Sequence, residues 1–268
     1  METLGEDLVL LAIRPGNGTL AARERIPYGL RGSELVRLAA SGRVGITGDR
    51  IVVLDAGPTG DERLDAALAS LAGARRPPRP KAWVGHPGAR ICDAYLARLA
   101  AAGAIREERG KVLGFIPVVR WRITDAARAA DARARLDAIV HATGPVGTAQ
   151  AAFAGLAGAS GLGPVLYPGA DGRPLRKRLD QIAQGELTRD PAQAARAAES
   201  GTDAAVDSAL DAIDSALDSA VDSATDAATR AATHAATHAA VSAAVHAAHH
   251  AASDAGAHGG GHGGGGHH

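Results

Sequence analysis

Gly29-Leu30-Arg31-Gly32-Ser33-Glu34-Leu35-Val36-Arg37-Leu38-Ala39-Ala40-Ser41-Gly42-Arg43-Val44 is the stretch on which the fold turns. From Ser33 to Ala40 it reads as a helix, and Gly42 stops it, because glycine closes a helix C-terminus in the left-handed conformation without strain. β-Branched residues then flank Thr47-Gly48-Asp49, a turn signal between two short strands. The same order returns from Tyr95: a helix, a stop at Gly103, a longer apolar hairpin from Lys111 to Ile123, and Thr124 as the cap of a helix running toward Val140. Two helix, glycine, hairpin units in a chain of otherwise helical period predict a mainly α fold, a compact multi-helix globular domain with short β-hairpins.

Working outward, Gly29-Leu30-Arg31-Gly32 closes a loop segment against the start of its helix and presents Arg31 on a tight bend. Pro58-Thr59-Gly60-Asp61-Glu62-Arg63-Leu64-Asp65-Ala66-Ala67-Leu68 has the same character. Thr59 and Glu62 have capping-box spacing, in which hydroxyl and carboxylate each satisfy an orphan backbone N–H, and Pro58 fixes the approaching chain. A helix is therefore expected to begin near Gly60, with Leu64, Leu68 and Leu71 forming one apolar stripe. Thr3 and Glu6 repeat the capping arrangement before the apolar run Leu8 to Ile13. Capping accounts for the threonines and carboxylates of these strings, but it has no use for an arginine between two glycines. Small neighbours leave the Arg31 guanidinium free to meet an anion.

The charge is unevenly spread. The 268 residues carry 27 Lys and Arg against 20 Asp and Glu up to residue 190, and 2 against 9 beyond it, so a formal net charge of zero joins a basic part to an acidic one. An arginine-rich front suits an anionic partner. A single cysteine, Cys92, excludes an internal disulfide and fits a reducing cytoplasm. Met1-Glu2-Thr3 lacks the basic start of a secretory signal. No Asp, Glu, Lys or Arg stands between Asp137 and Asp171, but Gly144-Pro145 and Gly163-Pro164 break that stretch and Ala and Gly fill it. It reads as a buried helix over Val146 to Leu162 rather than a membrane span.

Thr3-Leu4-Gly5-Glu6-Asp7, Gly29-Leu30-Arg31-Gly32 and Pro58 to Leu68 together resemble the signature of the Golgi phosphoprotein 3 family over roughly residues 3 to 187. The resemblance implies a peripheral membrane protein that binds phosphatidylinositol 4-phosphate, and the Ala, Arg and Gly bias suggests a bacterial member. Arg31 matches the arginine of the family's headgroup pocket. The family's tryptophan, seven residues before the first glycine of the string, is Ala22 here. Two further basic positions fall on Ala89 and Cys92, with Arg90 one residue away, so the headgroup candidates are Arg31 and Arg90. The family's hairpin supports oligomer formation, which implies self-association through residues 111 to 123.

Helix, glycine stop and hairpin is also the profile of a winged helix, so nucleic-acid binding is a rival. The helices concerned offer only Arg37 and Arg98, where a major-groove reader needs several Arg, Lys, Asn or Gln. Arg75-Arg76-Pro77-Pro78-Arg79-Pro80-Lys81 reads as a solvated linker, and Trp83 as core. Phe115, Ile116, Val118 and Trp121 make the second hairpin more apolar than a two-stranded ribbon can bury alone. There is no Walker loop, His-Glu-x-x-His, Gly-x-Ser-x-Gly or cysteine pair, His86 and His141 read as ordinary residues, and Asp61 with Asp65 is explained by capping. No enzyme activity and no cofactor are implied.

The tail, residues 191 to 268, is of low complexity. Val206, Leu210, Ile213, Leu217, Val221 and Ala224 trace one thin helical stripe, and aspartates from Asp203 to Asp226 follow beside it, repelling one another. Nine of the eleven histidines come later. His234 and His238 stand four apart, a two-ligand spacing that makes them weak metal candidates, and the tract would gain charge as pH falls through about 6.5. The sequence reading is thus a helical domain over 1 to 190 and a low-complexity tail, helical or disordered, over 191 to 268. The expected function is non-catalytic attachment to anionic lipid on the cytoplasmic face of a membrane. A soluble adaptor working through hairpin and tail is the alternative.

Overall fold

Nine helices and two hairpins follow one another among the described residues, which in this computed structural model are 3–47, 49–112, 115–144 and 146–183. The mainly α expectation holds. The metal candidates His234 and His238, and the rest of the tail, lie outside the described residues.

Helix α1 (Leu4–Ala12) is central: every residue in it is buried, and it packs against α2 (Ile26–Ala40), α5 (Ile91–Ala101), α6 (Ala126–His141) and α7 (Thr148–Ala159). Its apolar run Leu8 to Ile13 explains why it sits inside. Glu6 and Asp7 are buried with it and must therefore be paired. Thr3 does not cap the helix backbone; its hydroxyl donates to Asp7 Oδ2 at 2.8 Å.

Helix α2 corrects the reading of the opening string. It begins at Ile26, with Pro27 preorganising its first turn, so Gly29 to Gly32 lie inside the helix and form no bend. Gly29 is there for packing: a Cβ at that position would stand 2.0 Å from Ser160 Oγ at the end of α7. Gly5 plays the same part between α1 and α5, where a Cβ would come within 2.5 Å of the Tyr95 ring. The glycines cost helix propensity, and close helix contact offsets it.

Both helix, glycine, hairpin units form, but the second hairpin starts at Ile105, six residues before the expected Lys111, because the charged run Arg106 to Arg109 pairs with the returning strand as well. Gly42 and Gly103 take φ of +69° and +72°, and antiparallel pairs β1 (Val44–Thr47) with β2 (Arg50–Val53) and β3 (Ile105–Val112) with β4 (Ile116–Ile123) follow them. Thr124 ties its hairpin to the preceding helix, donating to Gly103 O at 2.7 Å, while the helix cap is Asp125, whose Oδ1 accepts from Arg128 N at 3.0 Å. Helix α3 (Glu62–Ala72) starts two residues after the expected Gly60. Asp61 caps it, accepting from Arg63 N and Leu64 N, and Thr59 instead donates to Asp65 Oδ1. The linker leads into the short α4 (Pro80–Val84), which buries Trp83. After α7, α8 (Gly163–Leu166) and α9 (Arg173–Ala183) complete the core, α9 seating Leu179 and Ile182. Among the described residues no helix is long and apolar enough to cross a membrane.

Candidate functional site

The three motif strings converge on two carboxylates. Glu34, on α2, has no exposed side-chain surface. Arg31, one turn earlier, donates through Nη1 to its Oε2 at 3.0 Å, and Arg63, at the start of α3, donates through Nε and Nη2 to its Oε1 at 3.1 and 2.6 Å. Trp83 of α4 lies against the Arg31 guanidinium, 3.5 Å from ring centroid to Cζ, and the Tyr95 ring of α5 is 5.9 Å from that of Arg63. Burial pushes the Glu34 carboxyl above its ordinary value against the pull of Arg63 and Arg31, and burial draws the Arg31 guanidinium down against the pull of Glu34.

The Arg31 side chain is therefore 11% exposed, paired and stacked. Small neighbours predicted a free guanidinium on a bend. A helical backbone and a carboxylate at i+3 turn it inward instead. Its Nε and the Trp83 Nε1 are buried and meet no acceptor among the described residues. Two cations and one anion leave the cluster with a net positive charge.

Asp61 centres the second group. Arg37 of α2 and Arg98 of α5 both donate to it at 2.8 Å. Burial pushes its carboxyl up, but the hydrogen bonds from Arg98 and Arg37 outweigh that and hold it at about 2. Arg98 also pairs with Glu6 of α1 at 2.5 Å, Arg128 of α6 reaches the same Glu6, and Asp7 takes Arg135 at 2.7 Å. A cavity of about 620 Å³ opens on this group between Arg37, Arg43, Asp61 and Arg98. The sequence signal for Glu6 and Asp7 was present, but it read as capping.

Arg90 stands exposed at the N-cap position of α5, where its carbonyl accepts from Ala94 N at 3.0 Å; among the described residues its side chain has no hydrogen bond, ion pair or ring contact. Nothing of that kind joins it to Arg31. Ala22 takes a positive φ of 45°. Cys92 is half-buried and its thiol is pushed up to about 11 by burial, with Asp93 adding to the rise and Arg23 opposing it. Arg23, beside Ala22, thus lies near the start of α5, a cation that sequence reasoning passed over. His86, just beyond α4, and His141, the last residue of α6, each place Nδ1 against a carbonyl four residues back, at 2.7 and 2.8 Å, and both are exposed. Among the described residues no group of three or more His, Cys, Asp or Glu is placed to hold a metal ion.

Two comparisons bear on identity. A search of curated proteins finds no match. The family model for Golgi phosphoprotein 3 (GPP34) matches residues 4–201, which takes in all three strings but for Thr3, both carboxylate clusters and every helix described above. The chain belongs to the Golgi phosphoprotein 3 family.

Proposed function

We propose that this chain is a non-catalytic peripheral membrane protein of the cytoplasmic membrane face, binding anionic phospholipid, with phosphatidylinositol 4-phosphate or a related phosphoinositide as the headgroup. The observation that carries the reading is the imbalance at Glu34. Two guanidinium groups share one carboxylate there, and two buried N–H groups find no acceptor among the described residues, so the cluster is short of an anion. Arg63, 26% exposed, is its outermost cation, with Arg31 the inner one held by Trp83. The unpaired Arg90 is the second contact.

Co-sedimentation of the full chain with phosphatidylcholine vesicles, with and without anionic lipid and at low and high salt, tests this. Binding is expected only to anionic vesicles, weakening with salt and falling for Arg31→Ala and Arg90→Ala. Equal binding to both vesicle types, or to neither, overturns it in favour of the adaptor. That second reading, with self-association through residues 111 to 123, is favoured by Phe115 and Val119, which are 73% and 51% exposed. A nucleic-acid reader has less support, because Arg31, Arg37 and Arg98, the cations on the two helices that precede hairpins, are engaged by Glu34 and Asp61.

A further inference from the structure

From Ala66 to Cys92 the chain carries no Asp or Glu, yet it holds Arg75, Arg76, Arg79, Lys81 and Arg90. All five are exposed. Arg79 pairs with Asp49 at 2.6 Å, a carboxylate that Arg50 also approaches at 3.4 Å. The side chains of Arg75, Arg76, Lys81 and Arg90 have no ion pair or hydrogen bond among the described residues.

The stretch is no loose linker. Ile51 N donates to Pro78 O and Arg50 Nη1 to Pro77 O, both at 2.9 Å, so the run is pinned to β2. Beyond it α4 buries Pro80, Trp83 and Val84, and Trp83 is stacked on Arg31. Held on both sides, the cations make a fixed basic face whose self-repulsion an anionic partner relieves.

The complementary element is in the same chain. Between Arg196 and Arg230 there is no Lys or Arg, and Asp203, Asp207, Asp211, Asp214 and Asp218 recur at intervals of three or four. Twenty residues lead from Ala183, the last described residue, to Asp203, and fully extended they span up to about 66 Å. That reaches any face of a domain of about 180 residues, whose radius of gyration is about 16 Å. A flexible tether also sets a local concentration on the order of millimolar, which favours the attached anion over one free in solution.

We infer that the face from Arg75 to Arg90 is a docking surface for the aspartate segment 203–218 of the same chain. It joins the two sides of a charge division in which an excess of seven cations up to residue 190 is matched by an excess of seven acids beyond it. The face includes Arg90, so a headgroup held there competes with the segment, but the docking itself does not depend on lipid.

Carbodiimide coupling tests it, because the reagent joins a carboxylate to an amine only where the two are in contact. The lysines of the chain are Lys81, Lys111 and Lys177; all are exposed, and they mark this face, the second hairpin and α9 respectively. The full chain, coupled at submicromolar concentration and digested, is expected to show Lys81 joined to one or more of the five aspartates by mass spectrometry. The yield per chain should not change on dilution. Salt at 1 M, where the Debye length is about 3 Å, should cut it about tenfold or more. Arg75→Gln with Arg76→Gln, both exposed and unpaired, should leave the melting temperature unchanged and lower the yield about threefold or more. Coupling of those aspartates to Lys111 or Lys177 in place of Lys81, or to no lysine, overturns the inference. A yield that salt or the double variant leaves unchanged overturns it too. Coupling found only in linked dimers, and fading on dilution, overturns it in favour of a second copy of the chain.

Discussion

Two carboxylates in this molecule are each held by two arginines, yet they shift in opposite directions. Glu34 takes Arg31 and Arg63; Asp61 takes Arg37 and Arg98. What separates them is water. The Glu34 side chain is 0% exposed, whereas Asp61 is 10% exposed and its partner Arg98 is 39% exposed. Burial dominates at Glu34 and pushes its carboxyl up, while at Asp61 the hydrogen bonds prevail and hold it at about 2. The same charge count therefore serves two ends. A dry cluster draws little net stability from its attraction, because desolvation consumes it, but breaking it strands buried charge. A wetter one adds stability in proportion to its pairing.

The largest effect expected from this contrast is at Glu34. Glu34→Ala leaves two guanidinium groups without their shared anion and should cost about 3–5 kcal/mol in urea unfolding. A loss below about 1 kcal/mol would mean that the cluster is hydrated in solution and the contrast with Asp61 is void.

Gly29 comes next, because α2 carries both Glu34 and Arg37 and so aligns the two clusters at once. Gly29→Ala places a methyl group against Ser160 Oγ, and overpacking of this kind costs about 1–3 kcal/mol. Converting Ser160 to Gly in the same chain should recover most of it. No recovery would locate the cost elsewhere in the helix.

Asp61→Asn keeps the helix cap and removes the charge, and should lose about 1–2 kcal/mol at neutral pH. The pH dependence gives the sharper test. Asp61 has a folded value near 2 against an ordinary 3.8, so its contribution is present above pH 3.8 and is lost as pH falls toward 2. The gap between native and Asp61→Asn chains should close across that window. Glu34 carries the opposite sign: its raised value makes its contribution full below its ordinary 4.5 and smaller as pH rises through the folded value. A gap at Asp61 that stays constant down to pH 2 would remove the distinction.

These clusters also mark where the sequence stopped being legible. Helix stops at Gly42 and Gly103, both hairpins, the Leu64, Leu68 and Leu71 stripe and the buried Ala-rich helix α7 are all local patterns, and the chain folds by them. Glu6 could not be placed in that way. A carboxylate in the first turn of a helix reads the same whether it caps a backbone N–H or pairs with Arg128, 122 residues away. Arg31 failed for a related reason: glycines signal a bend unless a neighbouring helix makes them packing positions, and Ser160 is far along the chain. Helix α9 was readable from Leu175, Leu179 and Ile182 at spacings of four and three, but its arginines and lysine mask an apolar stripe that closes the core.

The smallest expected effect on stability lies on the second hairpin, where pairing is fully wet. Glu108 takes Arg122 at 2.5 Å and Arg106 at 3.4 Å across exposed strand faces, a form of ion pair that salt and side-chain entropy largely cancel. Glu108→Ala should therefore leave the urea midpoint of the full chain where it was, in contrast to Glu34→Ala. A shifted midpoint would show that exposed pairs here carry stability after all.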